Sequence, residues 1–237
     1  MLTEKEKNRY HRHLILPEFG EKAQLKLKAA KVLVVGAGGL GSPVLTYLAA
    51  AGVGQIGIIE KDVVDETNLQ RQILYSTSDI GKPKSLMAKE RLSSLNPNVQ
   101  ISLYNDWLTE ENAEKIISDY DLVVDCPDNL QTRFLVSDAT SKLGKPHIFG
   151  AIRQYDGQVA VFNMKPGNTY RKLFVDIPED FSTEESEKGV LGVLPGIIGC
   201  IMANETIKVI TGTGITLSGK LLMIDIKNNH FQEITIA

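Results

Sequence analysis

Cysteine is scarce in this sequence. Cys126 and Cys200 are the only two among 237 residues. Two thiols cannot build a disulfide framework, and they cannot by themselves complete a four-ligand zinc site. There is no excess of either charge: 26 Lys and Arg stand against 29 Asp and Glu, for a net charge of −3. That balance excludes a bulk electrostatic grip on nucleic acid. No apolar run reads as long enough to span a bilayer, and the charged start Met1-Leu2-Thr3-Glu4-Lys5-Glu6-Lys7 lacks the apolar core of a signal peptide. These absences predict a soluble, cytoplasmic protein with no membrane partner. Internal repeats, low-complexity tracts and Gly/Ser linkers are also missing. The apolar share of 43% and charged share of 23% are ordinary, so the chain can bury a sizeable core and disorder is excluded as its main state.

What is present is an alternation of short apolar runs and helical patterns. After a polar, amphipathic stretch of about thirty residues, Lys31-Val32-Leu33-Val34-Val35 reads as a buried parallel strand. Strands are predicted at 55–60, 99–104, 121–125 and 147–150, separated by helices at 43–51, 83–95, 110–118 and 131–143. This rhythm predicts an α/β fold: a Rossmann-like, doubly wound, mostly parallel sheet with helices on both faces. The texture then changes. Residues 157–163 read as a strand able to pair antiparallel, and 164–188 as a long surface loop. Residues 193–211 read as an apolar helix opened near Pro195. A closing hairpin follows at 220–226 and 231–236, turned by Asn228-Asn229, so the sheet gains an antiparallel C-terminal extension.

Gly36-Ala37-Gly38-Gly39-Leu40-Gly41 fits G-x-G-x-x-G between a strand and a helix. Glycines let the backbone turn tightly and approach a phosphate, and the following helix presents free N–H groups to negative charge. Glu60 closes the second strand, where an acid can hold ribose hydroxyls. The motif alone does not separate NAD, FAD, S-adenosylmethionine and ATP. Three further features do. Asn68-Leu69-Gln70-Arg71-Gln72 brings an arginine fork suited to phosphate oxygens. Gly81-Lys82-Pro83-Lys84 places Lys84 at a helix start, with Pro83 suited to the first turn; a solvated lysine is the plainer reading. Asp125-Cys126-Pro127-Asp128-Asn129 follows a parallel strand at the ligand-binding edge of the sheet, where Asp128 can hold Mg²⁺ while Asp128 or Asn129 caps the next helix.

Together with Arg9-Tyr10-His11-Arg12-His13, Ala51-Gly52-Val53-Gly54, Gly150-Ala151 and Gly157-Gln158-Val159, this constellation resembles the ThiF/MoeB/HesA family, the bacterial relatives of ubiquitin-activating enzymes. The resemblance is nearest to the molybdopterin-synthase adenylyltransferase type and implies an ATP-dependent adenylyltransferase. Such an enzyme joins AMP to the C-terminal glycine carboxylate of a ubiquitin-like sulfur carrier of the MoaD or ThiS kind, for molybdopterin or thiamin biosynthesis. It further implies that Gly36, Gly38, Gly39 and Gly41 bind the nucleotide, with Gly39 and Gly41 at the phosphates, and that Glu60 holds the ribose in place of the family's more usual Asp. Asp62 and Asn129 would lie at the nucleotide, Asn68, Arg71 and Lys84 at phosphates, and Asp128 at Mg²⁺. Arg12 falls on a mobile arginine that reaches into the partner subunit of a homodimer, with Arg9 as the nearest competitor. The implied layout is one adenylation domain over 1–237: a helical arm 1–30, a nucleotide-binding core 31–150, and a carrier-binding and dimer part 151–237 with a crossover loop 164–188.

Two departures from the family pattern carry expectations. Thr169-Tyr170-Arg171-Lys172 stands where many relatives place a first C-x-x-C pair, and no late cysteine offers a second. No zinc is therefore expected, and the stretch 164–188 should be looser than in zinc-bearing relatives. Glu185, Ser186, Glu187 and Lys188 precede Gly189-Val190, where some relatives carry a reactive cysteine. Cys126 reads as a small buried residue, Cys200 as a packed core residue of the apolar helix, and Trp107 as a packing aromatic. Adenylation without a covalent carrier intermediate follows, with sulfur supplied by another protein. Two other classes compete. An NAD-dependent oxidoreductase leaves Arg71, Lys84 and Asp128 without a role, and no His or Tyr-Lys pair offers a proton donor. A non-catalytic nucleotide-binding module sits poorly with an intact phosphate set.

Overall fold

A computed structural model describes residues 1–165, 167–175 and 189–236. Among them, eight strands form one sheet in the order β3-β2-β1-β4-β5-β6-β7-β8. The strands are β1 Lys31–Val35, β2 Gln55–Ile59, β3 Gln100–Tyr104, β4 Leu122–Asp125, β5 His147–Arg153, β6 Asp156–Phe162, β7 Lys220–Asp225 and β8 His230–Thr235. The first five run parallel, and β6, β7 and β8 continue the sheet antiparallel. The last hairpin turns at Asn229, whose φ of 53° is a left-handed value that asparagine tolerates.

The helices are α1 Glu4–Arg9, α2 His11–Leu14, α3 Gly20–Ala29, α4 Gly41–Ala51, α5 Lys84–Leu95, α6 Ala113–Ser118, α7 Leu130–Leu143, α8 Tyr170–Leu173 and α9 Val193–Thr211. Alternate strand residues face opposite layers. Val32, Val34, Ile56, Ile58 and Val124 pack with residues of α4, α5 and α9. Leu33, Val35, Ile59 and Val123 pack with Ile117 of α6 and Val136 of α7. Burial on both faces explains why these strands read as unbroken apolar runs. The order reverses between β1 and β4, and the loops that leave their carboxyl ends diverge there; such a crevice is where open α/β sheets take ligands.

By length and composition alone α9 is long and apolar enough to cross a membrane, with a mean hydropathy of 1.5, which corrects the reading that no run is long enough. Its buried face packs into the core: Leu194, Ile198, Met202 and Ala203 join the same cluster as Val159 and Val161 of β6. Gly150 and Gly157 leave room for this contact, because a Cβ on either would lie 2.2 Å from Met202 Sδ or Ile198 Cδ1. The helix begins with Pro195 against the glycine loop and ends with the Thr211 carbonyl held by Lys26 of α3.

The N-terminal arm is docked onto the core rather than loose. Thr3 and Glu6 form a capping box on α1, and Lys28 grips Glu6 at 2.7 Å. Asn96 donates to the Tyr10 hydroxyl at 2.9 Å, and Gln24 donates to the Ala51 carbonyl at 2.7 Å.

The described part of 164–188 departs from its reading as a surface loop. Within the described part 167–175, α8 is anchored by Tyr170, which is 2% exposed and packs edge-on to Phe134 and Phe162 and against Phe149 and Phe174. Arg171 pairs in fork geometry with Asp138 at 2.5 and 2.7 Å and lies over the Phe134 ring. Thr169 and Lys172, the positions without thiolates, flank this anchor. Glu185, Ser186, Glu187 and Lys188 lie outside the described residues.

Candidate active site

The glycine loop is folded against itself and against the end of β4. Gly36 has φ +93°, and a Cβ there would stand 2.7 Å from the Cys126 carbonyl oxygen. A Cβ on Gly41 would stand 2.2 Å from the Gly36 carbonyl oxygen. Both positions need glycine for close approach. Leu40, the residue before α4, makes no side-chain cap; Ser42 N donates to the Gly38 carbonyl at 2.9 Å and Pro43 has no N–H, so the amides left for a ligand are those of the loop just before the helix and of Gly41. Gly39 looks toward Pro195 of α9 and the Arg71 stem, whose Cγ would lie 3.6 Å from a Cβ at that position.

Glu60 is 7% exposed and spans two segments. Its Oε2 accepts from the Ala37 N–H and its Oε1 from the Asp62 N–H, both at 2.9 Å. Tyr75 donates its hydroxyl to the Ala37 carbonyl at 2.8 Å, so the peptide groups flanking Ala37 are held on both sides. Burial, followed by the charges of Glu60 and Asp62, pushes the Tyr75 phenol well above its ordinary pKa, so it stays a donor. A carboxylate offers about four acceptor directions, so Glu60 keeps capacity for a ribose hydroxyl. Its longer side chain is what lets it reach the glycine loop.

Lys84 is not a solvated lysine. The chain at 62–64 pairs antiparallel with 81–84: Lys84 N donates to Asp62 O at 2.8 Å, Val64 N to Lys82 O at 2.9 Å and Gly81 N to Val64 O at 2.8 Å. That pairing brings the buried Lys84 ammonium to 3.2 Å from Asp62 Oδ2, two residues beyond Glu60. Pro83 stands at the cap position and Lys84 is the first helical residue of α5.

Asn68 ends a short 3₁₀ turn, Glu66–Asn68, that Asp65 caps by accepting from Thr67 N at 2.8 Å. The hydrogen bond from the Thr67 hydroxyl lowers the Asp65 pKa below its ordinary value. Arg71 is half-buried, and its Nη1 donates to the Thr67 carbonyl at 3.0 Å. Gln72, named in the motif but not as a site residue, is 5% exposed; its Nε2 faces Gly38, and its Oε1 has no partner among the described residues.

Asp128 and Asn129 divide the work that the sequence left open between them. Asn129 caps α7 by accepting from Thr132 N at 2.8 Å. Asp128 is exposed, with Asn129 Nδ2 at 3.4 Å from its Oδ1. No cluster of three or more His, Cys, Asp or Glu side chains able to hold a metal occurs among the described residues. A single exposed carboxylate suits Mg²⁺, which keeps waters and binds through one or two carboxylates plus substrate phosphates.

Cys126 is buried, and desolvation pushes its thiol up, which leaves it a packing residue and not a nucleophile. Cys200 corrects its sequence reading: it is exposed on α9 because its side of the helix faces away from the sheet. Trp107 is also corrected. It is 52% exposed; its backbone N–H donates to the Asp106 carboxylate at 2.9 Å, which pairs with Lys61, two residues beyond β2, at 3.1 Å. Of the two arm arginines, Arg9 is engaged with the Leu95 carbonyl at 2.9 Å, whereas the exposed Arg12 makes no hydrogen bond or ion pair with any described residue. A cavity of about 230 Å³ lies beside Tyr75, between Ile73, Asp79, Met87, Glu90 and Arg91, and contains none of the residues singled out from the sequence.

Against known proteins, the sequence profile of the ThiF family matches residues 10–237. A sulfur carrier protein adenylyltransferase from Thermus thermophilus is 50% identical over 99% of this chain and 89% of its own length. A probable molybdopterin-synthase adenylyltransferase from Porphyra purpurea is 45% identical over 98% of this chain and 61% of its own length. A probable adenylyltransferase/sulfurtransferase, MoeZ, from Mycobacterium tuberculosis is 44% identical, and this chain again spans 61% of it. Among solved structures, PaaA superposes with a TM-score of 0.86 at 22% identity, covering 99% of this chain and 75% of its own. E. coli MccB, solved with ATP, superposes with a TM-score of 0.82 at 24% identity, covering 100% of this chain and 74% of its own. At these identities the structural likeness speaks for the fold.

Proposed function

The chain belongs to the ThiF family, and from that membership we propose that it is an ATP-dependent adenylyltransferase acting on a ubiquitin-like sulfur carrier. A carboxylate oxygen of the carrier's C-terminal glycine attacks the α-phosphorus of ATP; the bond to the bridging oxygen breaks, pyrophosphate leaves, and an acyl-adenylate remains. The chemistry asks the protein to align two anions, spread the developing charge and exclude water. The observation that carries this reading is the pair of cations on the two sides of the glycine loop. The Arg71 stem lies over Gly39, and Lys84 is buried against Asp62 beside the Glu60 that clamps the loop. A hydride-transfer enzyme that keeps an acid at the end of β2 for an unphosphorylated ribose has no triphosphate for these two cations to neutralise.

In this reading the glycine loop 36–41 takes the phosphates on its amides 38–41, Glu60 accepts from the ribose, and Asn68, Arg71 and Lys84 bind phosphate oxygens. Bound through Asp128, Mg²⁺ would neutralise phosphate charge. Arg12, free on the arm, serves the partner's site in a homodimer. The whole of 1–237 acts as one adenylation domain, with 151–237 receiving the carrier. Sulfur comes from another protein, and the molybdopterin and thiamin routes both fit the residues. The test is ATP–pyrophosphate exchange with candidate carriers ending in Gly-Gly, with mass spectrometry for the acyl-AMP. Exchange that depends on the carrier's last glycine supports the reading. ATP-independent behaviour, or nucleotide-dependent hydride transfer instead, overturns it.

A further inference from the structure

The loop that carries Asp128 rests on a buried guanidinium. Arg133, in the first turn of α7, is 7% exposed. Its Nη2 donates to the Pro127 carbonyl at 2.8 Å and its Nη1 to the Gly150 carbonyl at 2.6 Å. The same Nη1 lies 3.3 Å from Asp125 Oδ2, and the guanidinium carbon sits 5.2 Å from the Phe149 ring centroid. Asp125 is fully buried; His147 of β5 approaches the same oxygen at 3.5 Å, and Asp125 Oδ1 has no partner among the described residues. An ion pair that served stability alone would need only the Asp125 contact, and apolar packing would replace it at little loss. Here the planar fork is used to reach two carbonyls, one at β5 and one on the residue immediately before Asp128. On the other side of Asp128, the Asn129 side chain is fixed by Thr132 N. Asp128 is therefore held between two pinned neighbours while its own carboxylate stays open.

We propose that Arg133 is a positioning residue: through the Pro127 peptide it sets the direction of the Asp128 carboxylate and so governs how strongly Mg²⁺ assists ATP binding. This rests on the adenylyltransferase reading. Arg133, being buried, acts through the loop and not on a ligand. Supporting partners one layer removed from a metal ligand commonly change metal affinity by about 10- to 100-fold when altered.

The test is calorimetric titration of ATP into the full chain, in EDTA and in Mg²⁺, for wild type, R133K, D128A and the double variant, with thermal melts beside them. R133K keeps a charge for Asp125 but cannot reach both carbonyls. Expected is an unchanged ATP affinity in EDTA and a loss of the magnesium-dependent gain by about 10- to 100-fold. D128A should lose the same gain, and the double variant should fall no further, because both changes act on one contact. A loss in R133K that is equal with and without Mg²⁺, or losses that multiply in the double variant, overturn the positioning role. If R133K does not melt cooperatively, R133Q, which keeps a donor without the charge, takes its place in the same scheme. Wild type that binds no ATP under either condition overturns the adenylyltransferase reading itself. A wild-type magnesium gain that R133K retains overturns only this inference.

Discussion

Replacing Glu60 by Gln changes one atom and tests whether the carboxylate is a clamp on the glycine loop. Both of its oxygens accept from backbone N–H groups, Ala37 on one side and Asp62 on the other. An amide has one acceptor oxygen, so whichever way Gln turns, its NH₂ faces a backbone donor. Ala37 is 0% exposed, so its orphaned N–H has no water to turn to. Hydrogen bonds to a charged acceptor are worth about 1.5–3 kcal/mol, and an unsatisfied buried donor costs about 1–3 kcal/mol. Asp62 is exposed, and water recovers part of the second loss. The expected destabilisation is about 2–4 kcal/mol for E60Q, with E60A similar, since alanine offers neither acceptor. For a domain of this size that corresponds to a fall in melting temperature of about 5–15 °C. Calorimetry on the ligand-free protein measures it without any activity assay. An E60Q protein melting with wild type would refute the clamp and return Glu60 to the role of a free ribose acceptor.

The remaining predictions use the same structure. Arg71→Ala should lower pyrophosphate exchange by about 3–4 kcal/mol of transition-state stabilisation, as for the loss of one preorganised donor. Its melting temperature should barely move, because among the described residues its guanidinium donates to the carbonyl of the exposed Thr67; near-normal exchange would remove Arg71 from the site. Trp107, the sole tryptophan, should have its emission quenched in an ATP titration if a base stacks near it; an unresponsive signal alongside calorimetrically measured binding would place it outside the site. The hydrogen bond from Lys28, with further help from Thr3, holds the Glu6 pKa at about 2, below its ordinary 4.5. A lowered carboxylate pKa stabilises the fold above the unfolded value and ceases to do so as the pH falls through the folded one. The melting-temperature gap between wild type and E6Q should therefore be full at neutral pH and close between about pH 4.5 and 2; a gap independent of pH would rule out this charge as its source.

The strands and long helices were legible because their signals are local. Lys31–Val35 stands where its β-branched run placed it, and Val193–Thr211 forms the helix read around Pro195. Ends shifted by a few residues, as at Ala113–Ser118, where the first turn read from 110 is occupied by a turn that Asn112 ties to Thr109. The candidate site was legible as a set of motifs, since glycine, Arg71, Lys84 and Asp128 are marked by spacing around strand ends. What failed to show were contacts between residues far apart in the chain. Tyr170 draws its partners from Phe134, Phe149, Phe162 and Phe174, so no periodicity in 164–188 announces α8. Cys200 and Trp107 were assigned to packing by residue type, but the side of an element that faces the sheet decides exposure. Glu60 gave away its place but not its grip on Ala37, and Arg133, near the start of a helical pattern, gave no sign that it holds the Pro127 carbonyl.

The nineteen residues of α9 act as a spacer of set span. One end abuts Gly39 through Pro195, and the other is fastened to α3 through Lys26 and Thr211. Inserting a single amino acid between those ends would lengthen the rod by about 1.5 Å and swing its far half by about 100°. Both attachments could not then survive. Drift in this helix can thus recolour its outer surface, but its residue count is locked, and a deletion or duplication there should be felt at once at the nucleotide and at the base of the arm.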